Sequence, residues 1–282
     1  MNQRSLRYTV QSIGLALLFS MLGFLVRLLL SVLLDVDLPL WVASVLNFAL
    51  AALGAFVFFP RVLKRPFGEV ALSEYVRRLG FYLPRHAWRH VVLGGILALC
   101  TLGGMLVSSL LTGRYVLDWR TVDLSHVVFS LNAGVWEEFF FRGLIAIVLL
   151  QYTRSVKKTV VIQIVLFGLS HIKGIDLWSW VDVFSVVVIA TAFVYAAYKT
   201  RTLLAGIVFH FVHDALLFLV QVPDEYVGVG ENVIFYLALW SMVGVACLLI
   251  KVAAEKLGVQ AEAELYAVEE APQAPIQADA AG

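Results

Sequence analysis

The sequence predicts an all-α protein, a polytopic transmembrane bundle of about eight spanning helices, and three observations lead to this prediction. Hydrophobic residues make up 61% of the 282 residues and charged residues only 15%. A soluble domain of this length needs more charge to cover its surface, and the mean hydropathy of +0.88 points the same way. The apolar residues also form continuous runs, whereas a membrane β-barrel requires alternation.

Composition also excludes several classes of function. The apolar content excludes an ordinary cytosolic enzyme and a disordered chain. The formal net charge is +1, which offers no basic field for phosphate groups, so nucleic acid is not an expected partner. The two cysteines, Cys100 and Cys247, both lie in apolar runs. We expect them to be buried thiols, neither a disulfide nor a thiol catalyst.

Eight segments are apolar over roughly the 20 residues that a spanning helix needs. They lie near 8–34, 40–59, 90–112, 126–150, 156–173, 180–198, 202–222 and 231–251. The apolar part of the first segment is too long for a cleaved signal peptide. The breaks between the fourth and the seventh segments are short.

The Lys and Arg residues predict the orientation of these helices. With the N-terminus inside, the inside segments carry 16 of the 21 Lys and Arg residues and the outside loops carry 3. Cytoplasmic loops are expected to carry such an excess, so we expect both termini in the cytoplasm. The short chain and its Ala-rich end favour a bacterial cytoplasmic membrane.

Two segments lie outside the predicted spans. The loop 61–89 is basic and interleaved with aromatic residues, which is typical of an amphipathic element on the anionic leaflet and equally of an ordinary cytoplasmic loop. The segment 257–282 is rich in Ala, Glu, Gln and Pro and is expected to be a disordered cytoplasmic tail. Residues 1–256 then form a single transmembrane domain.

Ionisable residues inside the predicted fourth span are the first functional signal, because each costs about 2.5–3.5 kcal/mol by insertion scales. This span contains Glu137, Glu138 and Arg142. Glu138 and Arg142 stand four residues apart, so they share a helix face and can form an ion pair. Glu137 points about 100° away from Glu138. One acid can therefore be neutralised structurally while the other faces a cavity.

The fifth and seventh spans carry further polar residues at helical spacing. Phe167 and His171 stand four residues apart at the end of the fifth span. His210 and Asp214 stand four residues apart within the seventh span, and His213 lies between them. Three ionisable groups so close together in an apolar helix indicate a function, in which His213 is interpreted as a supporting partner.

Three other polar residues, Arg27, Asn47 and Asp182, are interpreted as structural. Arg27 lies near a helix end, where its side chain can reach the interface. Asn47 can form a hydrogen bond between helices. None of the three is expected to belong to a functional site.

Side chains from three helices can surround one water molecule: Glu137, His171, His210 and Asp214. A carboxylate in a dry cavity can act as a general base near neutral pH, and the same donors can instead ligate a divalent metal ion. Both arrangements predict hydrolysis inside the membrane, whereas a proton path in a transporter is a third use of such groups. The sequence lacks the HExxH, G-x-S-x-G and P-loop motifs, so the mechanisms that depend on them are excluded.

At these residues the sequence resembles the CPBP family of membrane proteases, also called the CAAX protease or Abi family. The family includes type II CAAX prenyl endopeptidases and bacterial proteins linked to bacteriocin self-immunity. Its motifs, EExxxR, FxxxH and HxxxN or HxxxD, occur in that order on successive helices. This chain has all three: Glu137-Glu138-x3-Arg142, Phe167-x3-His171 and His210-x3-Asp214. The resemblance covers about 125–222, which makes the predicted helices four to seven the catalytic core.

The resemblance implies a role for each motif residue. Glu137 would be the general base that activates water, with His171 beside it. Glu138 and Arg142 would form a supporting pair, and Phe167 would pack the pocket. His210 and Asp214 would complete the site, either by holding a metal ion or by stabilising the oxyanion of the tetrahedral intermediate.

Asp214 stands where many members of the family have Asn, and this departure leaves both a metalloprotease and a glutamate-dependent protease open. The metal candidates are Glu137, His171, His210 and Asp214, with zinc as the first expectation.

The resemblance favours an intramembrane endopeptidase that cleaves a membrane-associated, prenylated or leader-type peptide. The alternatives are a non-catalytic immunity or scaffold protein of the same fold and a proton-coupled transporter. The sequence does not indicate the oligomeric state. The topology places His171 at the outer end of its helix but Glu137 and His210 near mid-membrane. A single-water mechanism requires these three side chains within about 10 Å of one another.

Overall fold

The computed structural model describes residues 3–62, 70–112, 116–221, 229–259 and 265. Within these ranges the chain forms nine helices, and the all-α fold is confirmed. Their bounds are α1 Gln3–Leu34, α2 Leu40–Leu53 with its continuations Gly54–Phe58 and Phe59–Val62, α3 Leu72–Arg78, α4 Ala87–Thr112, α5 Leu124–Glu137 with its continuations Glu138–Ile145 and Ala146–Thr153, α6 Val156–Leu169, α7 Leu177–Thr200, α8 Leu204–Leu217 and α9 Val229–Lys256. A short antiparallel pair joins β1, Val116–Leu117, to β2, Val220–Gln221.

Five of these helices are long and apolar enough to cross a membrane, so the protein is an integral membrane protein. They are the segments Leu6–Leu34, Leu40–Arg61, Ala87–Thr112, Leu177–Thr200 and Val233–Lys256. The other three predicted spans correspond to α5, which a π-helical stretch divides, and to α6 and α8, which have 14 residues each. Fourteen residues extend about 21 Å along a helix axis. The count of eight spans stays a prediction.

The core of one half of the bundle is aromatic and lies around α5. Trp136, Phe139, Phe140 and Phe141 are all buried there. Their rings meet mostly edge to face, as between Phe139 and Phe140, whose centroids lie 5.4 Å apart. Edge-to-face contacts are a favoured geometry for aromatic pairs. The helix that carries the acidic residues is therefore held in a rigid environment.

Helix α3 and the turn after it pack into the bundle, which neither sequence interpretation of the loop 61–89 anticipated. Tyr75 and Leu79 are fully buried. Gly80 has a φ of +75°, a left-handed conformation that favours glycine, and its carbonyl accepts a 2.8 Å hydrogen bond from the Leu203 amide at the start of α8. Residues 63–69 of this loop lie outside the described part of the chain.

Asn47 links three helices, as the structural interpretation of this residue predicted. Its side-chain oxygen accepts from the Gly23 amide at 2.8 Å. Its nitrogen donates to the Ser20 carbonyl at 3.0 Å and to the Asn132 side chain at 3.3 Å. These bonds connect α1 and α2 to α5, the helix of the acidic pair.

The structure also describes the contacts of the other residues interpreted as structural, the state of the cysteines and part of the predicted tail. Arg27 forms a 3.0 Å ion pair with Asp37, and Asp182 accepts a hydrogen bond from the Tyr236 hydroxyl. The two cysteines are free thiols, as expected, but both are only partly buried. Leu265 is buried, and its carbonyl accepts a hydrogen bond from Arg201. The rest of the segment predicted to be a disordered tail, 260–264 and 266–282, lies outside the described residues.

Candidate active site

The acidic pair lies where α5 changes from an α-helix to a π-helix. Glu137 is the last residue of the α-helical part, and Glu138 is the first of the π-helical stretch Glu138–Ile145. All eight residues of this stretch are buried. Such wider turns are rare in proteins and occur frequently at functional sites.

Glu138 and Arg142 form the predicted ion pair, with the Oε1 and Nη1 atoms 3.3 Å apart and both side chains fully buried. The guanidinium group lies over the ring of Phe167, 3.9 Å from its centroid, and within 5.1 Å of the ring of Phe193. Within the described part of the chain its nitrogen atoms have no hydrogen-bond partner. The buried cation is therefore compensated by one carboxylate and by aromatic faces.

Glu138 also holds His210, a contact that the sequence did not predict. Its Oε1 atom lies 2.9 Å from Nδ1 of His210. Because Glu138 is paired with Arg142 as a carboxylate, it accepts this hydrogen bond and the imidazole donates from Nδ1. The ring of His210 stacks on Phe193, with centroids 4.5 Å apart and planes 19° apart. Both contacts fix the plane of the imidazole.

The other nitrogen of His210 points toward two further carboxylates. Its Nε2 atom lies 3.8 Å from Oε2 of Glu137 and 3.5 Å from Oδ2 of Asp214. His210 is only 5% exposed, whereas Glu137 and Asp214 are 25% and 20% exposed. Nε2 of His210 is therefore the ring nitrogen that faces the two partly exposed carboxylates.

His171 reaches the site from a turn, because α6 ends at Leu169 and does not extend to residue 173 as predicted. Its Nδ1 atom donates to the Phe167 carbonyl at 2.8 Å, since a carbonyl can only accept. Its Nε2 atom lies 3.9 Å from Oε2 of Glu137. This turn brings a residue from beyond the helix end back to the level of Glu137, which resolves the difference in depth expected from the topology.

The turn is followed by a well-capped helix that fixes its far end. Asp176 caps α7 by accepting from the amides of Trp178 and Ser179. Because the Ser179 side chain and amide both donate to this carboxylate, the pKa of Asp176 lies below its usual value.

The three side chains required by a single-water mechanism therefore converge on one atom, Oε2 of Glu137. Two imidazole Nε2 atoms, from His171 and His210, lie within 3.9 Å of it. Among the described residues this carboxylate oxygen has no hydrogen-bond partner. The separations of 3.8 and 3.9 Å are longer than direct hydrogen bonds.

Phe167 connects the halves of the site. Its ring contacts Phe141 edge to face at 4.8 Å, and the ring of His171 lies 4.7 Å away. Its other neighbour is the guanidinium of Arg142. Phe167 thus packs between the buried ion pair and the exposed histidine.

We expect Phe167→Leu to lower the free energy of unfolding by about 1–2 kcal/mol, because the cation–π contact with Arg142 and the aromatic packing are lost. Because the ring of Phe167 also packs against His171, the substitution leaves this imidazole less well positioned, and kcat is expected to fall about tenfold. Thermal unfolding and peptide cleavage measure the two effects. Phe184→Leu is the matched control, since Phe184 is 52% exposed, and an equal loss of activity in this control would contradict the expectation.

Two polar residues near the motifs have supporting positions. His213 is buried, and its Nδ1 atom lies 2.9 Å from Oγ1 of Thr101 on α4. This contact agrees with its interpretation as a supporting partner. Gln163, on α6, donates to the Phe141 carbonyl in the π-helical stretch of α5. The sequence places Gln163 on the same helix stripe as Phe167 and His171, four residues before Phe167, but this spacing did not indicate its partner on α5.

The described residues contain no group of three or more His, Cys, Asp or Glu side chains placed to hold a metal ion. The four candidate ligands are neighbours, but Glu138 occupies Nδ1 of His210 and the Phe167 carbonyl occupies Nδ1 of His171. Only their Nε2 atoms face the carboxylates. A histidine that binds a metal ion through one ring nitrogen usually donates from the other in this way, so Glu137, His171, His210 and Asp214 stay the metal candidates. The chemistry below is derived from the side chains alone.

A comparison with known families places this geometry in context. Residues 120–216 match the family model described as type II CAAX prenyl endopeptidase Rce1-like. The matched region runs from the turn before α5 into α8, so it contains all three motifs. The match confirms the family resemblance of the motifs and supports a CAAX-type intramembrane protease at the level of the family. No curated protein and no solved structure matches the chain.

Proposed function

We propose that this membrane protein, whose residues 120–216 match the family model described as type II CAAX prenyl endopeptidase Rce1-like, hydrolyses peptide bonds with a water molecule activated by Glu137. The observation that carries the proposal is the convergence of His171 and His210 on one oxygen of Glu137, at 3.9 and 3.8 Å. Glu137 can accept a proton from the attacking water as a general base, and the two histidines lie close enough to take part in the later proton transfers.

In the proposed reaction, Glu137 accepts a proton from the water as its oxygen attacks the scissile carbonyl carbon. The carbonyl oxygen becomes an oxyanion, which receives a hydrogen bond from Nε2–H of a His210 that is protonated on both nitrogens. Glu138 holds His210 through Nδ1 for this purpose. The proton then passes from Glu137, with His171 beside it, to the leaving amine as the C–N bond breaks.

Asp214 has a supporting role in this proposal. Its Oδ2 atom lies 3.5 Å from Nε2 of His210. A carboxylate beside the imidazolium stabilises its positive charge, whereas an Asn at this position could itself donate to an oxyanion. The proposal therefore assigns the oxyanion contact to His210.

The proposed substrate is a peptide that reaches the site from the bilayer, either a prenylated C-terminal peptide or an unprenylated leader-type peptide. The family supports a peptide substrate at the membrane, and the apolar helices contact lipid. We also propose that both termini are cytoplasmic in a bacterial cytoplasmic membrane, because of the distribution of Lys and Arg.

The alternatives differ in what they require of Glu137. A non-catalytic immunity or scaffold protein would need the buried Glu138–Arg142 pair but not the partly exposed Glu137. A transporter would need a continuous polar path, often between repeated halves. A metalloprotease would use Glu137, His171, His210 and Asp214 as ligands of a divalent ion, with zinc as the first candidate.

A peptide-library experiment tests the proposal. The purified protein in lipid nanodiscs is incubated with membrane peptides, each in prenylated and unprenylated form, with and without a chelator, and products are identified by mass spectrometry. We expect cleavage by the wild type in both conditions and none by Glu137→Gln. Loss of cleavage in the chelator would favour the metalloprotease, and equal cleavage by Glu137→Gln would exclude Glu137 as the base.

A further inference from the structure

Helices α5 and α8 approach each other closely at two glycines, one on each helix. Gly134 of α5 faces the backbone of α8: a Cβ atom added there would lie 2.9 Å from the Phe211 nitrogen and 3.0 Å from the Ile207 oxygen. Gly206 of α8 faces Glu138 of α5. The two helices carry Glu137, Glu138, His210 and Asp214, so their separation determines the geometry of the site.

The two glycines differ in what they make room for. A Cβ atom added at Gly206 would lie 2.9 Å from Oε2 of Glu138, and its three nearest atoms would all belong to the Glu138 side chain. Oε2 is buried and has no hydrogen-bond partner among the described residues. Because Gly206 has no side chain, Oε2 of Glu138 can lie close to the backbone of α8 at this position.

The position of this carboxylate matters because its other oxygen makes two contacts at once. Oε1 of Glu138 lies 2.9 Å from Nδ1 of His210 and 3.3 Å from Nη1 of Arg142. A methyl group at position 206 would displace the carboxylate, because its nearest atom would be Oε2 of Glu138 at 2.9 Å. The displacement would break the directional hydrogen bond that orients His210, whereas the Coulomb attraction between Glu138 and Arg142 weakens only gradually with distance.

We propose that Gly206 is a positioning residue, which acts through Glu138 to aim Nε2 of His210 at the reacting carbonyl. This inference rests on the proposed function, because it assigns His210 the oxyanion contact. It predicts an unusual separation of effects. Alanine is a better helix former than glycine, which offsets part of the weakened contacts of Glu138, so Gly206→Ala is expected to lower Tm by less than Gly134→Ala does while it lowers the rate of the chemical step.

Three Gly→Ala variants of the full-length protein in nanodiscs test the proposal by kcat, KM and Tm. For Gly206→Ala we expect kcat to fall about 10–100-fold, as for a displacement of about 1 Å in a catalytic group, with KM within about twofold and a Tm between those of the wild type and Gly134→Ala. Gly134→Ala clashes with backbone and is expected to lower Tm. Gly95→Ala has no atom within 4 Å of its new Cβ, so it serves as the neutral control.

A double-variant comparison separates positioning from a general effect on packing. If Gly206 acts only through Glu138, Gly206→Ala causes no further loss of kcat in a Glu138→Ala background, where no side-chain oxygen is left for the methyl group to displace. Independent, multiplicative losses in the two variants would overturn the proposal. A kcat within twofold of wild type for Gly206→Ala, or a fall in Tm as large as that of Gly134→Ala, would overturn it as well.

A spectroscopic readout keeps this inference distinct from the proposed function. The ¹⁵N NMR signal of His210 Nδ1, assigned by its absence in His210→Asn, reports the hydrogen bond to Glu138 without any substrate. We expect this signal to shift in Gly206→Ala and to stay in place in Gly95→Ala. A shift in a protein that cleaves no peptide would contradict only the proposed function, whereas an active protein with no shift would contradict only the role of Gly206.

Discussion

Glu137→Gln is expected to lower kcat by about 10²–10⁴-fold while KM and Tm stay close to the wild-type values. The amide of Gln is nearly isosteric with the carboxylate, but it cannot accept the proton of the attacking water. Glu137 is partly exposed and lies 3.8–3.9 Å from its two histidine neighbours, so its neutralisation leaves no buried charge unpaired. Steady-state cleavage of a peptide from the library measures this loss.

The matched control for this variant is Glu255→Gln, the same chemical change at an exposed position near the end of α9. Wild-type kinetics are expected there. A fall in Tm for Glu137→Gln comparable to its loss of activity would mean that the residue is structural. Full activity of Glu137→Gln would assign the base to another group.

Arg142→Met is expected to produce the largest loss of stability, about 3–5 kcal/mol. The substitution leaves the carboxylate of Glu138 buried without its cation, and removing one partner of a buried pair has a cost of this size. Both side chains are fully buried, so water does not replace the missing partner. Thermal unfolding in detergent measures the effect, and activity is expected to fall with it because Glu138 orients His210.

Two comparisons identify the origin of this loss. Arg120→Met removes an exposed arginine and is expected to change the free energy of unfolding by less than about 0.5 kcal/mol. The double variant Glu138→Gln with Arg142→Met removes both charges, so it should recover part of the stability lost in Arg142→Met. A double variant less stable than either single variant would show that the unpaired charge is not the cause.

The sequence was sufficient to predict the fold class and the motif residues. Long apolar runs dictate helices in a membrane, because every backbone polar group there must be satisfied within the helix or the bundle. Spacing of four residues along α5 also predicted the pair of Glu138 and Arg142, since such neighbours share a helix face. Both inferences depend on local periodicity, which a sequence displays directly.

The contacts that the sequence could not provide are those between distant segments. Glu138 and His210 are 72 residues apart in the chain, and no periodicity relates them. The turn that returns His171 to Glu137 begins where α6 ends early, at Leu169. The burial of Tyr75 and Leu79 in the aromatic cluster around α5 goes with the left-handed turn at Gly80 and its bond to Leu203. Each is a property of tertiary packing.

The central claim, a water molecule activated by Glu137, is tested most directly by a single-turnover reaction in H₂¹⁸O. A cleavable membrane peptide is mixed with an excess of either the wild-type protein or the matched Glu137→Gln variant. The mass of the product that carries the new C-terminal carboxylate is then measured by mass spectrometry. The account predicts one solvent oxygen in the wild-type product and no product from Glu137→Gln over the same time. Labelled product formed by Glu137→Gln at the wild-type rate would contradict it.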